Sequence, residues 1–179
     1  LGSSMAGITN AMYDSKIFSG LLKKSVGVAE QRSLPKVYKF DFDKELQKAK
    51  VQANTTRSKV VLYIDEFTNY LDVDLGRDAI EVLTRLGYEV ELFYAESGRT
   101  YISKGFLKQA KKLAIGNVDK LSQLAEKGLP IIGLEPSAIL TFRDEYKRFG
   151  LDKKKMDAVA ANSFLIEEFL AKEIQSGVL

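Results

Sequence analysis

A chain of 179 residues with 45% hydrophobic and 28% charged residues has the size and composition of one ordinary globular domain. It contains neither Cys nor His, which excludes thiolate or imidazole metal centres, cysteine nucleophiles and histidine proton shuttles. The net charge of +3, from 27 basic against 24 acidic residues, is interspersed along the chain; it excludes a polybasic tail and gives nucleic-acid binding no support.

No apolar run approaches the roughly 20 residues of a membrane span. The N-terminus, LGSSMAGITN, lacks the basic start and apolar stretch of a signal peptide. The cytoplasm is the expected compartment. The chain starts at Leu1 rather than Met, and ends at Gly177-Val178-Leu179 straight after a helical pattern. These ends read as those of a piece of a longer protein, with a true start at Met5 as the competing reading.

Residues 1–57 read as a helical arm or linker. Ser3, Ser4 and Gly7 interrupt the pattern, a short amphipathic piece carries Ile17, Leu21 and Leu22, and Ser33-Leu34-Pro35 breaks it again. A second short helix is expected over 43–53, with Leu46, Ala49 and Lys50 at helical spacing before an Asn54-Thr55-Thr56 stop. Neither piece has the apolar face to stand alone. Packing on the main body or on a neighbour is expected.

Residues 58–179 read as an α/β domain. Val60-Val61-Leu62-Tyr63-Ile64 is a continuous β-branched and aromatic run, the mark of a strand buried on both faces. Asp74 then caps a predicted helix with Leu75, Ala79, Val82, Leu83 and Leu86 on one face, closed by Gly87. A strand is predicted at 88–94. After Glu96-Ser97-Gly98-Arg99, Ser103 is the candidate cap of a long helix whose apolar side runs from Leu107 to Leu124.

A third strand is predicted at 130–134. Pro136 opens a helix carrying Ile139, Phe142 and Tyr146 and ending at Gly150, and Asp152 caps a single long C-terminal helix through Met156, Val159, Ser163 and Leu170. The alternation of strands and amphipathic helices predicts a small parallel sheet in a Rossmann-like or flavodoxin-like three-layer unit. Three strands are few for such a sheet, so its edge is expected to be completed by another part of the protein.

Ligands of an open parallel sheet bind at the rim formed by the carboxyl ends of its strands. The loops there place Asp65, Glu66, Thr68 and Asn69 after the first strand, then Ser97, Gly98, Arg99, Ser103 and Lys104 after the second. Glu135, Pro136, Ser137 and the nearby Arg143 follow the third. Asp65 and Glu66 are neighbours in an extended segment and point apart, so capping is expected rather than coupled acid–base work. Ser97 has no histidine base and no G-x-S-x-G context, and a positive φ is the simpler role for Gly98. No Gly-rich nucleotide motif is present. The Arg143-Asp144-Glu145-Tyr146 turn reads as local ion pairing, and Lys104, Lys108, Lys111, Lys112, Lys120 and Lys127 as a solvated helix face.

The stretch from VVLYIDEFTNY through YISKGFLKQAKKLA to LPIIGLEPSAILTFRDEY, over 59–146, resembles the first cysteine-rich (CCG-type) domain of large FAD-linked oxidases with iron–sulfur modules. These are D-2-hydroxyacid dehydrogenases acting on D-lactate, D-2-hydroxyglutarate or glycolate. The preceding GITNAMYDSKIFSGLLKKSVGVAEQRSLP is similar to the linker after their ferredoxin-like module. In cluster-binding relatives the second loop carries Cys-Cys-Gly and the third Cys-Pro-x-Cys. Here Glu96-Ser97-Gly98 and Glu135-Pro136-Ser137-Ala138 stand in those places.

The resemblance therefore implies a degenerate copy that binds no cofactor itself, inside a parent that carries FAD and 4Fe–4S clusters. Its partners would be the flavin, ferredoxin-like and second cysteine-rich modules of the same parent chain. Membrane association would come only through the parent's electron acceptor. A free-standing module that binds an anion through Arg99 and helix N-termini at Ser103 and Pro136 is the alternative, and a carboxylate–metal phosphotransfer domain the third reading.

Overall fold

The computed structural model describes residues 5–52 and 57–179. The expectations at Ser3, Ser4 and the Asn54–Thr56 stop lie outside the described residues. Four parallel strands form one sheet in the order β2-β1-β3-β4, with β1 at Lys59–Ile64, β2 at Glu89–Tyr94, β3 at Ile131–Gly133 and β4 at Ser163–Leu165. Helices cover both faces, giving the α/β Rossmann-like architecture.

The central β1 is buried along almost its whole length, and its alternation divides the core in two. Val60, Leu62 and Ile64 face one layer, with Phe42, Ile80, Leu83 and Phe169. Val61 and Tyr63 face the other, with Ala114, Val118, Leu121, Phe142, Tyr146 and Val159. The first layer is built from α3 (Phe42–Gln52), α5 (Val73–Arg85) and α10 (Ile166–Gln175). The second holds α7 (Leu107–Ala125), α8 (Pro136–Ile139) and α9 (Lys153–Ala161). A continuous apolar strand is needed because side chains on both sides of the sheet leave water.

The fourth strand corrects the single C-terminal helix expected over 152–170. That segment splits at Asn162, whose side-chain amide donates to the Ala158 carbonyl at 2.9 Å, while the Ser163 hydroxyl donates to the Val159 carbonyl at 2.7 Å. Such local bonds give the backbone an alternative to continuing the helix. The freed Ser163-Phe164-Leu165 then pairs with β3, and the chain itself supplies the edge strand that was expected from elsewhere.

Other boundaries shift for similar reasons. Asp74 lies in the first turn of α5 and not at its cap, and the buried face is Val73, Gly76, Ala79, Ile80 and Leu83, with Leu75 and Val82 exposed. The helix expected to start at Ser103 is two: α6 (Arg99–Ser103), then Gly105 at φ 78°, then α7. The helix opened by Pro136 is likewise a short α8 followed by 3-10 turns at Leu140–Phe142 and Glu145–Phe149.

In the arm, α1 (Ala6–Asp14) and α2 (Lys16–Val26) form, but Ile17 and Leu21 stay 88% and 70% exposed, so the body does not cover them. The helix expected over 43–53 does pack on the body, burying Phe42 and Leu46.

Candidate functional site

The carboxyl ends of β1, β2 and β3 open onto the rim. After β1 the chain turns directly into α4 (Glu66–Tyr70) instead of the expected loop. Asp65 caps it: Oδ1 accepts from the N–H groups of Phe67 and Thr68 at 2.8 and 3.0 Å, and Oδ2 from the Thr68 hydroxyl at 3.1 Å. Asp65 is buried, and burial raises its carboxyl pKa above the ordinary value despite these three bonds. Asn69 belongs to the same turn, its N–H donating to the Asp65 carbonyl. Asp65 and Thr68 thus satisfy each other and offer nothing to the rim.

Glu66 points the other way and spans to the second loop. Its two carboxylate oxygens accept from the Ser97 N–H and the Ser97 hydroxyl, both at 2.7 Å. Ser97 Oγ in turn accepts from the Arg99 N–H at 3.1 Å. Gly98 sits at φ 69° as the N-cap of α6, a conformation L-residues rarely adopt, and a Cβ there would touch the Ala110 backbone. The Ser97 carbonyl accepts from the Tyr146 hydroxyl at 2.7 Å, and Asn117 Nδ2 donates both to that hydroxyl at 3.1 Å and to the Glu96 carbonyl at 2.8 Å. Burial raises the Tyr146 phenol pKa, so it remains a neutral donor.

Arg99 is held by Glu145 at 2.6 Å. Ser103 lies at the end of α6, where its hydroxyl donates to the Arg99 carbonyl at 3.1 Å. The alternative anion site built on Arg99 and a helix start at Ser103 is thereby corrected: the guanidinium is paired and Ser103 is at the wrong end. At the third loop the Glu135 carboxylate accepts from the Ser137 N–H at 3.1 Å, with Pro136 at the first helical position of α8. Arg143 stands apart, paired with Glu168 at 2.6 Å, and the same carboxylate accepts from the Leu165 N–H at 3.0 Å. The pairing expected to be local within 143–146 therefore reaches across the fold through Arg143 and Glu145, although Asp144 does pair nearby, with Arg148.

The rim is thus a closed hydrogen-bonded seam joining Glu66, Ser97, Arg99, Glu145, Tyr146 and Asn117. The last three escaped sequence reasoning. A polar residue inside the apolar stripe of the long helix is the available signal for Asn117; Tyr146 reads as one more apolar contact, and Glu145 as part of a locally ion-paired turn. Ser97 is hydrogen-bonded to a carboxylate as a nucleophile would be to its base, but it is fully buried and reaches no substrate. No three acidic residues gather as metal ligands among the described residues. A cluster does not fit either. Ser97 is tied to Glu66, Glu135 caps α8, and the Ala138 methyl is buried in the core; none offers the sulfur that iron requires.

Comparison with known proteins gives partial matches. Over 154 residues the chain is 32% identical to a D-2-hydroxyglutarate dehydrogenase of Pseudomonas putida, spanning 79% of this chain and 15% of that protein. It is 32% identical over 112 residues to the D-2-hydroxyglutarate dehydrogenase of Escherichia coli K12, spanning 61% and 11%. A subunit of the anaerobic glycerol-3-phosphate dehydrogenase of Escherichia coli K12 is 30% identical over 149 residues, spanning 82% and 38%. The chain is therefore related to segments of dehydrogenases and covers well under half of each. No family model matches the chain, and no solved structure matches it. Among the described residues no helix is long and apolar enough to cross a membrane.

Proposed function

We propose that this chain is a structural and docking module, 58–179 with its arm 1–57, of a flavin- and iron–sulfur-dependent dehydrogenase that oxidises D-2-hydroxyacids. It carries no redox centre of its own; FAD and 4Fe–4S clusters belong to other modules of the parent. The observation that carries this reading is the rim. Where cluster-binding relatives place thiolates, Glu96, Ser97 and Glu135 stand, and Ser97 and Glu135 are used up in internal hydrogen bonds. A scaffold kept while its ligand positions are closed suits packing, not electron transfer.

The partners are the flavin, ferredoxin-like and second cysteine-rich modules of the same parent chain. The exposed Ser103, Lys104 and Pro136 at the rim and Arg143 apart from it, together with the uncovered Ile17 and Leu21 of the arm, are the surfaces offered to them. The parent is cytoplasmic and meets a membrane only through its electron acceptor. Anaerobic reconstitution of the purified chain with iron and sulfide tests the reading. Colourless protein without stoichiometric iron or flavin is expected; a visible iron–sulfur or flavin spectrum from the chain alone contradicts it.

A further inference from the structure

Beyond the Arg99–Glu145 pair, α6, α7 and the 3-10 turn at Glu145–Phe149 flank an open cleft of about 460 Å³. That volume falls in the range of small-molecule sites, about 300–1,000 Å³, whose usual lining is apolar with a few charged groups that fix orientation. Here the apolar part comes from Ile102, Leu107 and Phe149, and Leu107 is 53% exposed. A half-exposed leucine at the start of a helix leaves apolar surface that a ligand would remove from water.

The charges around this floor are of one sign in effect. Lys108 and Lys111 lie three residues apart on α7, so both reach the same side of the helix. Neither belongs to an ion pair among the described residues, and Arg148 has only an exposed partner, Asp144. The carboxylate in the lining, Glu145, is already engaged by Arg99 at 2.6 Å. Lys108 and Lys111, in no ion pair among the described residues, beside an apolar floor match a ligand with an anionic head and an apolar body.

We infer that this cleft binds a free organic anion of the medium-chain carboxylate type, its chain along Ile102, Leu107 and Phe149 and its carboxylate between Lys108 and Lys111. The inference goes beyond the docking role proposed above: it concerns a small ligand of the isolated chain, in a cleft whose Ile102 adjoins the docking positions Ser103 and Lys104.

An amide NMR titration of the whole chain with octanoate, kept far below its micelle concentration, tests it. Saturable shifts confined to residues around the cleft are expected, with Kd about 1 mM for a ligand of that size. Octylamine, with a matched chain and the opposite charge, should leave the cleft unshifted. K108E/K111E, both at exposed positions, should weaken octanoate at least about tenfold while leaving the melting temperature in place. Absence of saturation by about 10 mM overturns the inference, as does equal binding of octylamine or undiminished binding by the double variant. Shifts produced only by phosphatidylglycerol vesicles, or only by an added module of the parent, would assign the cleft to a membrane or a partner and equally overturn it.

Discussion

Truncating Glu66 to Ala isolates the seam between the first two rim loops. The substitution removes the acceptors of two charge-assisted bonds at 2.7 Å and strands the Ser97 N–H and hydroxyl, in a residue with no exposure to water. A buried donor left without a partner costs about 1–3 kcal/mol, so E66A should lose about 3 kcal/mol. At about 2–4 °C per kcal/mol for a domain of this size, the melting temperature should fall by about 6–12 °C. S97A removes the hydroxyl but leaves the N–H bonded to Glu66, and should cost about 1–2 kcal/mol. Because the hydroxyl bond is lost in both single variants, the double variant should fall short of their sum by about 1–2 kcal/mol. Denaturant unfolding with a constant slope measures all three. A loss under about 0.5 kcal/mol for E66A, or strict additivity, would refute the seam.

Three further outcomes follow from the same geometry. Tyr146→Phe should destabilise by about 1–2 kcal/mol, because its hydroxyl bridges Ser97 and Asn117, whereas Tyr63→Phe should be neutral or stabilising, because the buried Tyr63 hydroxyl has no partner among the described residues; paired thermal melts distinguish them. Asp65→Asn keeps the cap of α4 and removes a buried charge. The raised carboxyl pKa means that the fold prefers the protonated acid, a contribution present below the ordinary value and lost as pH rises through the raised one. Asp65→Asn should therefore match or exceed the parent stability at neutral pH, with its advantage shrinking in acid, while Asp65→Ala loses about 1–2 kcal/mol; denaturant titrations at both pH values check this. Gly133→Ala would drive a methyl into the Ile139 side chain of α8 and should cost about 1–3 kcal/mol, read from the shift in denaturation midpoint.

The sheet was legible where one property decided it. The apolar run of β1 reads directly as a doubly covered strand, and the helix–strand alternation around it predicts parallel pairing, which the registers bear out. The β4 strand was hidden because Met156, Val159 and Ser163 keep helical spacing across Asn162; the side-chain bonds of Asn162 and Ser163 and the pairing edge of β3 together make the extended form win. Local chemistry revealed Asp65 as a cap, since an acid before a helix bonds the free N–H groups next to it, whereas the cap at Glu135, read only as a rim position, emerged from the structure. The Glu66–Ser97 bridge and the Tyr146–Asn117 support join residues 31 and 29 positions apart. Such long-range pairs leave no periodic signal in a single sequence, and so the closed rim emerged only from the fold.

The docking role is tested most directly in the parent enzyme, by deleting the segment corresponding to this chain and supplying the chain separately. The expected result is loss of D-2-hydroxyacid dehydrogenase activity on deletion and recovery when the chain is added, with a stoichiometric complex whose iron and flavin content equals that of the truncated parent alone. Full activity without the segment, or iron arriving with the added chain, would contradict it.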